Sequence, residues 1–280
     1  AGERALNYAM QPFGGFDHNL QALRTVTILE NRYADHDGMN LTWETLEGIL
    51  KHNGPMPDHP PVNLAFIPDS FDLEPFTFAS LEAQAAAIAD DVAYNAHDID
   101  DAVRAGLISP DALIDVPLVG AIVREVRQRW PQAENTRITH EIQRQLITTT
   151  IEDIIATSTA AIADSGVQSA AEVRQSGEAL IRFSPEVSAA VGELKSFLFT
   201  NVYRAPEVMT PVAESEKVVS ALFTAYMRGG DLPGRWAEKL SSIMDQRAKA
   251  RAISDFIAGM TDPYAIDEYE RLFDARPEFG

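Results

Sequence analysis

The chain has no cysteine, and that absence removes a block of chemistry at once. Disulfides, thiolate metal sites and a cysteine nucleophile are all excluded, and any metal has to be held by histidine and carboxylate. The lack also fits a reducing compartment. No uninterrupted apolar run approaches the ~20 residues that span a bilayer, and the first ten residues lack the charged-then-apolar order of a signal peptide. A cytoplasmic protein without a membrane partner is the expectation. Basic residues are scarce: 23 Lys and Arg stand against 42 Asp and Glu, a formal net charge of −19. Nucleic acid as a main partner is therefore disfavoured, because a phosphate-binding surface normally shows as a basic patch. No Gly-x-x-x-x-Gly-Lys-Ser/Thr loop, Gly-x-Gly-x-x-Gly turn or Gly-x-Ser-x-Gly elbow occurs.

What the chain does have is helical periodicity. Its 280 residues with 45% apolar content suffice for one large domain or two modest ones. Alternating strand patterns are nearly absent, so the fold class is all-α, a multi-helix bundle. Asp17 is a candidate N-cap for a helix from His18 to Tyr33, and Thr42 caps a short one through Leu50. Residues 53–75 read as a long Pro-rich connection, either a plain surface excursion or a lid or oligomer contact. Further helices are predicted at 116–130, 136–163 and 185–202, with a break at 164–178. Four more are expected near 206–228, 233–246, 248–260 and 263–273. Ser184-Pro185-Glu186 combines a cap, a proline at the first helical position and an acid in the first turn.

The most informative stretch runs from Ser80 to Gly106. Ser80 is an N-cap, Gly106 stands where a left-handed stop is expected, and no proline intervenes, so one long helix is predicted. Asp90, Tyr94, His97, Asp98 and Asp101 share one face by spacing. A preceding run of alanine would let a neighbouring helix approach and bury part of that face. Buried carboxylates need a partner, and a metal is one, but from the residues alone a solvated acidic stripe is the better account of the pattern.

The segment SLEAQAAAIADDVAYNAHDIDDAVRAGLIS resembles the helix that carries the last metal ligand in the deoxyguanosine triphosphate triphosphohydrolase family of HD-domain phosphohydrolases. GGFDHNLQALRTVTILENRY at 14–33, GMNLTWETLEGILKHNGP at 38–55, FLFTNVYRAPEV at 197–208 and ISDFIAGMTDPYAIDEY at 253–269 agree with it, in the family's order. In that family a His-Asp-Leu-Gly-His-Pro-Pro-Phe-Gly-His motif directly precedes Ala-Gly-Glu, and this chain opens at Ala1-Gly2-Glu3. The expectation is a fragment that lacks the first histidine and the His-Asp pair, and is inactive without them. Residues 1–110 would be the later part of the HD catalytic core, and 111–280 a helical region completing it.

The resemblance implies a role for each of several residues. Asp90 would be a ligand of Mg²⁺, Mn²⁺ or another divalent metal, whereas read alone it would pair with an arginine. Tyr94 and Asp98 would read the deoxyribose and crowd out a 2′-hydroxyl. Glu3 and His18 would manage protons, Glu3 at the attacking water and His18 at the ester oxygen. Lys195, Tyr203 and Arg204 would hold the triphosphate and sugar, and the alanine at 205 departs from the family's His-Pro. Without the resemblance these are a core tyrosine, a terminal acid and solvated surface charges. His36-Asp37 and His97-Asp98 mimic the HD doublet without aligning to it. The activity implied is hydrolysis of a dNTP to deoxynucleoside and tripolyphosphate by a homo-oligomer, commonly a hexamer. Two alternatives stay open, a phosphohydrolase of nucleoside monophosphates and a non-catalytic nucleotide sensor or scaffold.

Overall fold

The structure, a computed structural model, describes residues 1–57, 66 and 72–279. Among these it holds twelve α-helices and no strand, as the sequence predicts for an HD-like helical bundle. Most of the Pro-rich connection at 53–75 lies outside the described residues. Packing divides the chain into two compact units. The first comprises residues 1–50, 56–73 and 209–280, the second residues 51–55 and 74–208.

The first unit opens with α1 (Gly2–Met10), α2 (His18–Arg24) and α3 (Trp43–Leu50). Asp17 caps α2 as predicted, its Oδ1 accepting the Leu20 N–H at 2.9 Å. The helix does not continue to Tyr33. It widens into a π turn at Thr25–Leu29 and stops at Glu30, which is extended. The hydroxyls of Thr25 and Thr27 bond back to the carbonyls of Gln21 and Leu23, and such back-bonding loosens an α ladder. The chain then folds over this turn, with Gly38 and Met39 donating to the carbonyls of Glu30 and Val26. Gly38 has φ +74°, and a Cβ there would stand 2.3 Å from the Thr27 carbonyl oxygen, so only glycine fits.

The second unit contains α4 (Leu81–Arg104), α5 (Val119–Arg129), α6 (Asn135–Ser165), α7 (Ala170–Arg174) and α8 (Pro185–Leu198). Ser80 caps α4 through the Ala83 N–H and Gly106 closes it at φ +72°, both as predicted. The buried face of α4 includes Val92, Ala96, Ile99 and Ala102, and the last three join a core with Ile138, Ile142 and Leu146 of α6. The small side chains of Ala96 and Ala102 let the two helices lie close along that seam. Helix α6 also contains an 18-residue window of mean hydropathy 1.2, enough by length and composition alone to cross a membrane. The predicted break at 164–178 carries the short α7.

Helix α8 starts on the expected Ser184 cap and runs into a second π turn at Phe199–Tyr203, closed by Arg204 N–H to the Phe199 carbonyl at 3.1 Å. The chain continues through α9 (Pro206–Met227), α10 (Arg235–Ser241), α11 (Gln246–Ala258) and α12 (Asp262–Phe273). Leu6, Met10, Leu222, Tyr226, Ile253 and Phe256 belong to the main core of the first unit. Two ionic groups are fixed inside it. Asp255, 3% exposed, takes a bidentate pair from Arg24 at 3.0 and 2.6 Å. Glu268 accepts two bonds from Arg271 and one from the Tyr226 hydroxyl, and the Arg271 bonds foremost hold its carboxyl below the usual range.

Candidate functional site

The acidic face of α4 is more open than the alanine run suggests. Asp90, Tyr94, His97 and Asp101 are exposed, Asp98 is half-buried, and the carboxylate that is buried is Asp100, one position off the predicted face. Asp100 is held by Arg104 at 2.6 Å, one turn along the same helix. Helix α6 packs mainly on the side of Ala96, Ile99 and Ala102 and reaches the predicted face at His97, where the Gln143 amide lies 3.1 Å from Nδ1.

Two contacts tie α8 and its π turn to that face. Lys195 Nζ donates to Asp91 Oδ2 at 2.7 Å, and the Tyr203 hydroxyl donates to Asp98 Oδ2. Asp91 and Asp98 are seven residues apart and Lys195 and Tyr203 eight, in the same order, so the helices run in the same direction along about 10–12 Å of shared face. The π turn supplies the extra residue and aims Tyr203 back at α4. Burial, then the bond to Asp98, pushes the Tyr203 phenol well above its ordinary pKa, so it remains a neutral donor. Tyr94, one turn before Asp98, is 64% exposed and available to a ligand. Arg204 turns aside and lies over the Phe199 ring at 5.0 Å.

Asp90 has a neighbour that sequence reasoning did not single out. His52 Nε2 is 3.5 Å from Asp90 Oδ2, with both side chains partly exposed. Two donors bound to one divalent cation at ~2.1 Å stand roughly 3–3.5 Å apart, so this nitrogen and oxygen suit a shared cation in chemistry and spacing. His52 lies in Lys51-His52-Asn53-Gly54-Pro55, inside a stretch already matched to the family, yet no periodicity links it to Asp90.

In the first unit, Glu3 and His18 meet as a pair. Glu3 Oε1 accepts the His18 backbone N–H at 3.0 Å and lies 2.7 Å from His18 Nδ1. That double contact fixes the imidazole and leaves Nε2 outward. Asp17 stands beside them, and the three residues offer ligand atoms within 4.8 Å of one another. Asp17 and Glu3 are already engaged in capping and in the imidazole contact, so the geometry favours a held histidine over a cation cage. Of the two other His-Asp pairs, His97 Nδ1 is 3.1 Å from the Gln143 amide, and the His36 ring lies 4.6 Å from that of Tyr33, tilted by 33°.

Residues 181–271 match the phosphohydrolase-associated domain, a stretch that includes Lys195, Tyr203 and Arg204. The chain is 49% identical over 288 residues to deoxyguanosinetriphosphate triphosphohydrolase-like protein 1 of Mesorhizobium japonicum, covering all of this chain and 71% of that protein. The chain belongs to the deoxyguanosinetriphosphate triphosphohydrolase-like family. Members from Allorhizobium ampelinum and Rhodopseudomonas palustris are 45% and 44% identical, each across 99% of this chain and 71% and 72% of their own length. Membership in this family places the chain in the HD-domain phosphohydrolase superfamily.

Proposed function

We propose that the chain is the greater part of a divalent-metal-dependent enzyme that hydrolyses a deoxynucleoside triphosphate to deoxynucleoside and tripolyphosphate. The observation that carries this reading is the joining of Asp91 and Asp98 on α4 to Lys195 and Tyr203 of α8 and its π turn, beside the exposed Tyr94. A cation, a phenol and a carboxylate on one face are what a sugar–phosphate ligand asks for.

Asp90 and His52 would hold the divalent cation, which supplies positive charge opposite the phosphate oxygens. Lys195 exchanges Asp91 for a phosphate oxygen when substrate arrives, and Arg204 swings from Phe199 to a second one. Tyr203 and Asp98 grip the 3′-hydroxyl, while Tyr94 closes the space a 2′-hydroxyl would need. Glu3 orients His18 through Nδ1, and Nε2 carries a proton to the leaving 5′-oxygen. Residues 1–110 thus contribute the metal and proton-handling groups with Tyr94 and Asp98 at the sugar, and 111–280 the phosphate-holding ones with Tyr203 at the sugar.

The test is product identity with the full-length protein, each dNTP and Mg²⁺ or Mn²⁺. Tripolyphosphate with deoxynucleoside is the expected pair. Orthophosphate from a nucleoside monophosphate, with dNTPs untouched, would replace this reading by the monophosphate hydrolase. Homo-oligomeric assembly in the cytoplasm belongs to the same proposal, checked by light scattering on the purified protein.

A further inference from the structure

A second concentration of positive charge lies within the first unit, and none of the residues assigned above lines it. Arg24, Arg247 and Arg251 border a cavity of about 250 Å³, together with Phe13, Gly14 and Asp245. In a chain of net charge −19, three guanidinium groups converging on one cavity need an explanation.

Their pairing is uneven. Arg24 is neutralised by Asp255, which gives it both carboxylate oxygens. Asp245 spends one oxygen on the Ala248 N–H as the cap of α11. Arg247 turns only to a backbone carbonyl, Nε to Phe13 at 2.9 Å, and Arg251 likewise, Nη2 to Gly15 at 2.7 Å. Among the described residues neither has a carboxylate within 4 Å. Each guanidinium carries five N–H donors in a fixed fork, so each retains four with no protein acceptor shown. Burial first, then repulsion from Arg24 and, less, from Arg247, depresses the Arg251 pKa although Asp255 pulls the other way, and an anion would offset the remaining cost of gathering these charges. Gly14 keeps the room open, since a Cβ there would stand 2.6 Å from Arg247 Nη2.

We propose that this cavity is a binding site for a phosphate group, free or carried on a small molecule, held by the forks of Arg247 and Arg251. Forked donors on two sides match the several oxygens of one phosphate, which a single cation does not. Phe13 gives the cavity an apolar wall that excludes competing water.

The experiment uses the full-length protein carrying Lys195→Gln and Arg204→Gln, so that the residues proposed to hold substrate phosphates contribute nothing. Inorganic phosphate, tripolyphosphate and a deoxynucleoside monophosphate are titrated by calorimetry at matched ionic strength. Binding of at least one probe is expected to persist. Adding Arg247→Gln or Arg251→Gln should each weaken it by about tenfold, the scale of one charge-assisted hydrogen bond. Equal binding of inorganic phosphate and the monophosphate would assign the site to phosphate alone, and preference for the monophosphate to a carried phosphate. Absence of binding by every probe would overturn the proposal. So would unchanged binding in both arginine variants with an unaltered circular-dichroism melt. Loss of dNTP hydrolysis is read separately, by product analysis of the protein without the Gln pair.

Discussion

Asp90→Asn in the full-length protein is expected to lower dNTP hydrolysis by ~10³-fold or more, because a catalytic cation is worth several kcal/mol and each 1.36 kcal/mol is tenfold in rate. The same variant should bind less metal, measured by elemental analysis after dialysis. Asparagine keeps the volume and one oxygen but loses the charge that neutralises the cation. The side chain is 55% exposed, so the fold should be untouched and the melting temperature unchanged. His52→Ala should move metal content in the same direction by less, since a neutral nitrogen contributes no charge. An Asp90→Asn protein with full metal and full activity would leave the α4 face a solvated stripe.

The second large effect concerns Glu3 and His18. Removing a positioned acid or base costs ~10²–10⁴ in rate, so His18→Gln should fall in that range. Glu3 touches His18 twice and would act partly through it, so Glu3→Gln in the His18→Gln background should add little. Near-additive losses would separate the two residues into independent roles. Unchanged kcat in both singles would remove them from the reaction. His18→Gln should also flatten the alkaline limb of the pH–rate profile, where a general acid has lost its proton, which a purely structural role would leave in place.

Local signals in the sequence were sufficient for much of the fold because helix ends are written in single residues. Ser80, Ser184-Pro185 and Gly106 each mark a boundary the structure keeps, since caps answer to hydrogen-bond donors within three residues. The π turns were not legible. At Thr25–Leu29 and at Phe199–Tyr203 the apolar spacing still reads as α, and what changes the pitch is hydroxyl back-bonding in one case and the contact of Tyr203 with a distant carboxylate in the other. The same holds for burial on α4. Periodicity grouped Asp90, Tyr94, His97, Asp98 and Asp101, but which face meets α6 is decided by Ala96, Ile99 and Ala102 fitting Ile138 and Ile142. Asp100 was buried with them and caught by Arg104.

The candidate site residues were proposed through the family resemblance, whereas their partners in the structure could not be. Lys195 with Asp91 and Tyr203 with Asp98 join positions more than a hundred apart, and His52 reaches Asp90 from a loop. Nothing in local spacing encodes such pairs. The arginine cavity is an extreme case, with Arg24 and Arg251 adjacent in charge and remote in sequence.

The most direct test of the central claim is hydrolysis of a dNTP by the full-length protein in H₂¹⁸O, with both products analysed by mass spectrometry. Attack of water at the α-phosphorus with loss of the 5′-oxygen predicts one ¹⁸O in tripolyphosphate and none in the deoxynucleoside. Label in orthophosphate or pyrophosphate, or in the nucleoside, would place the bond cleavage elsewhere and contradict the account.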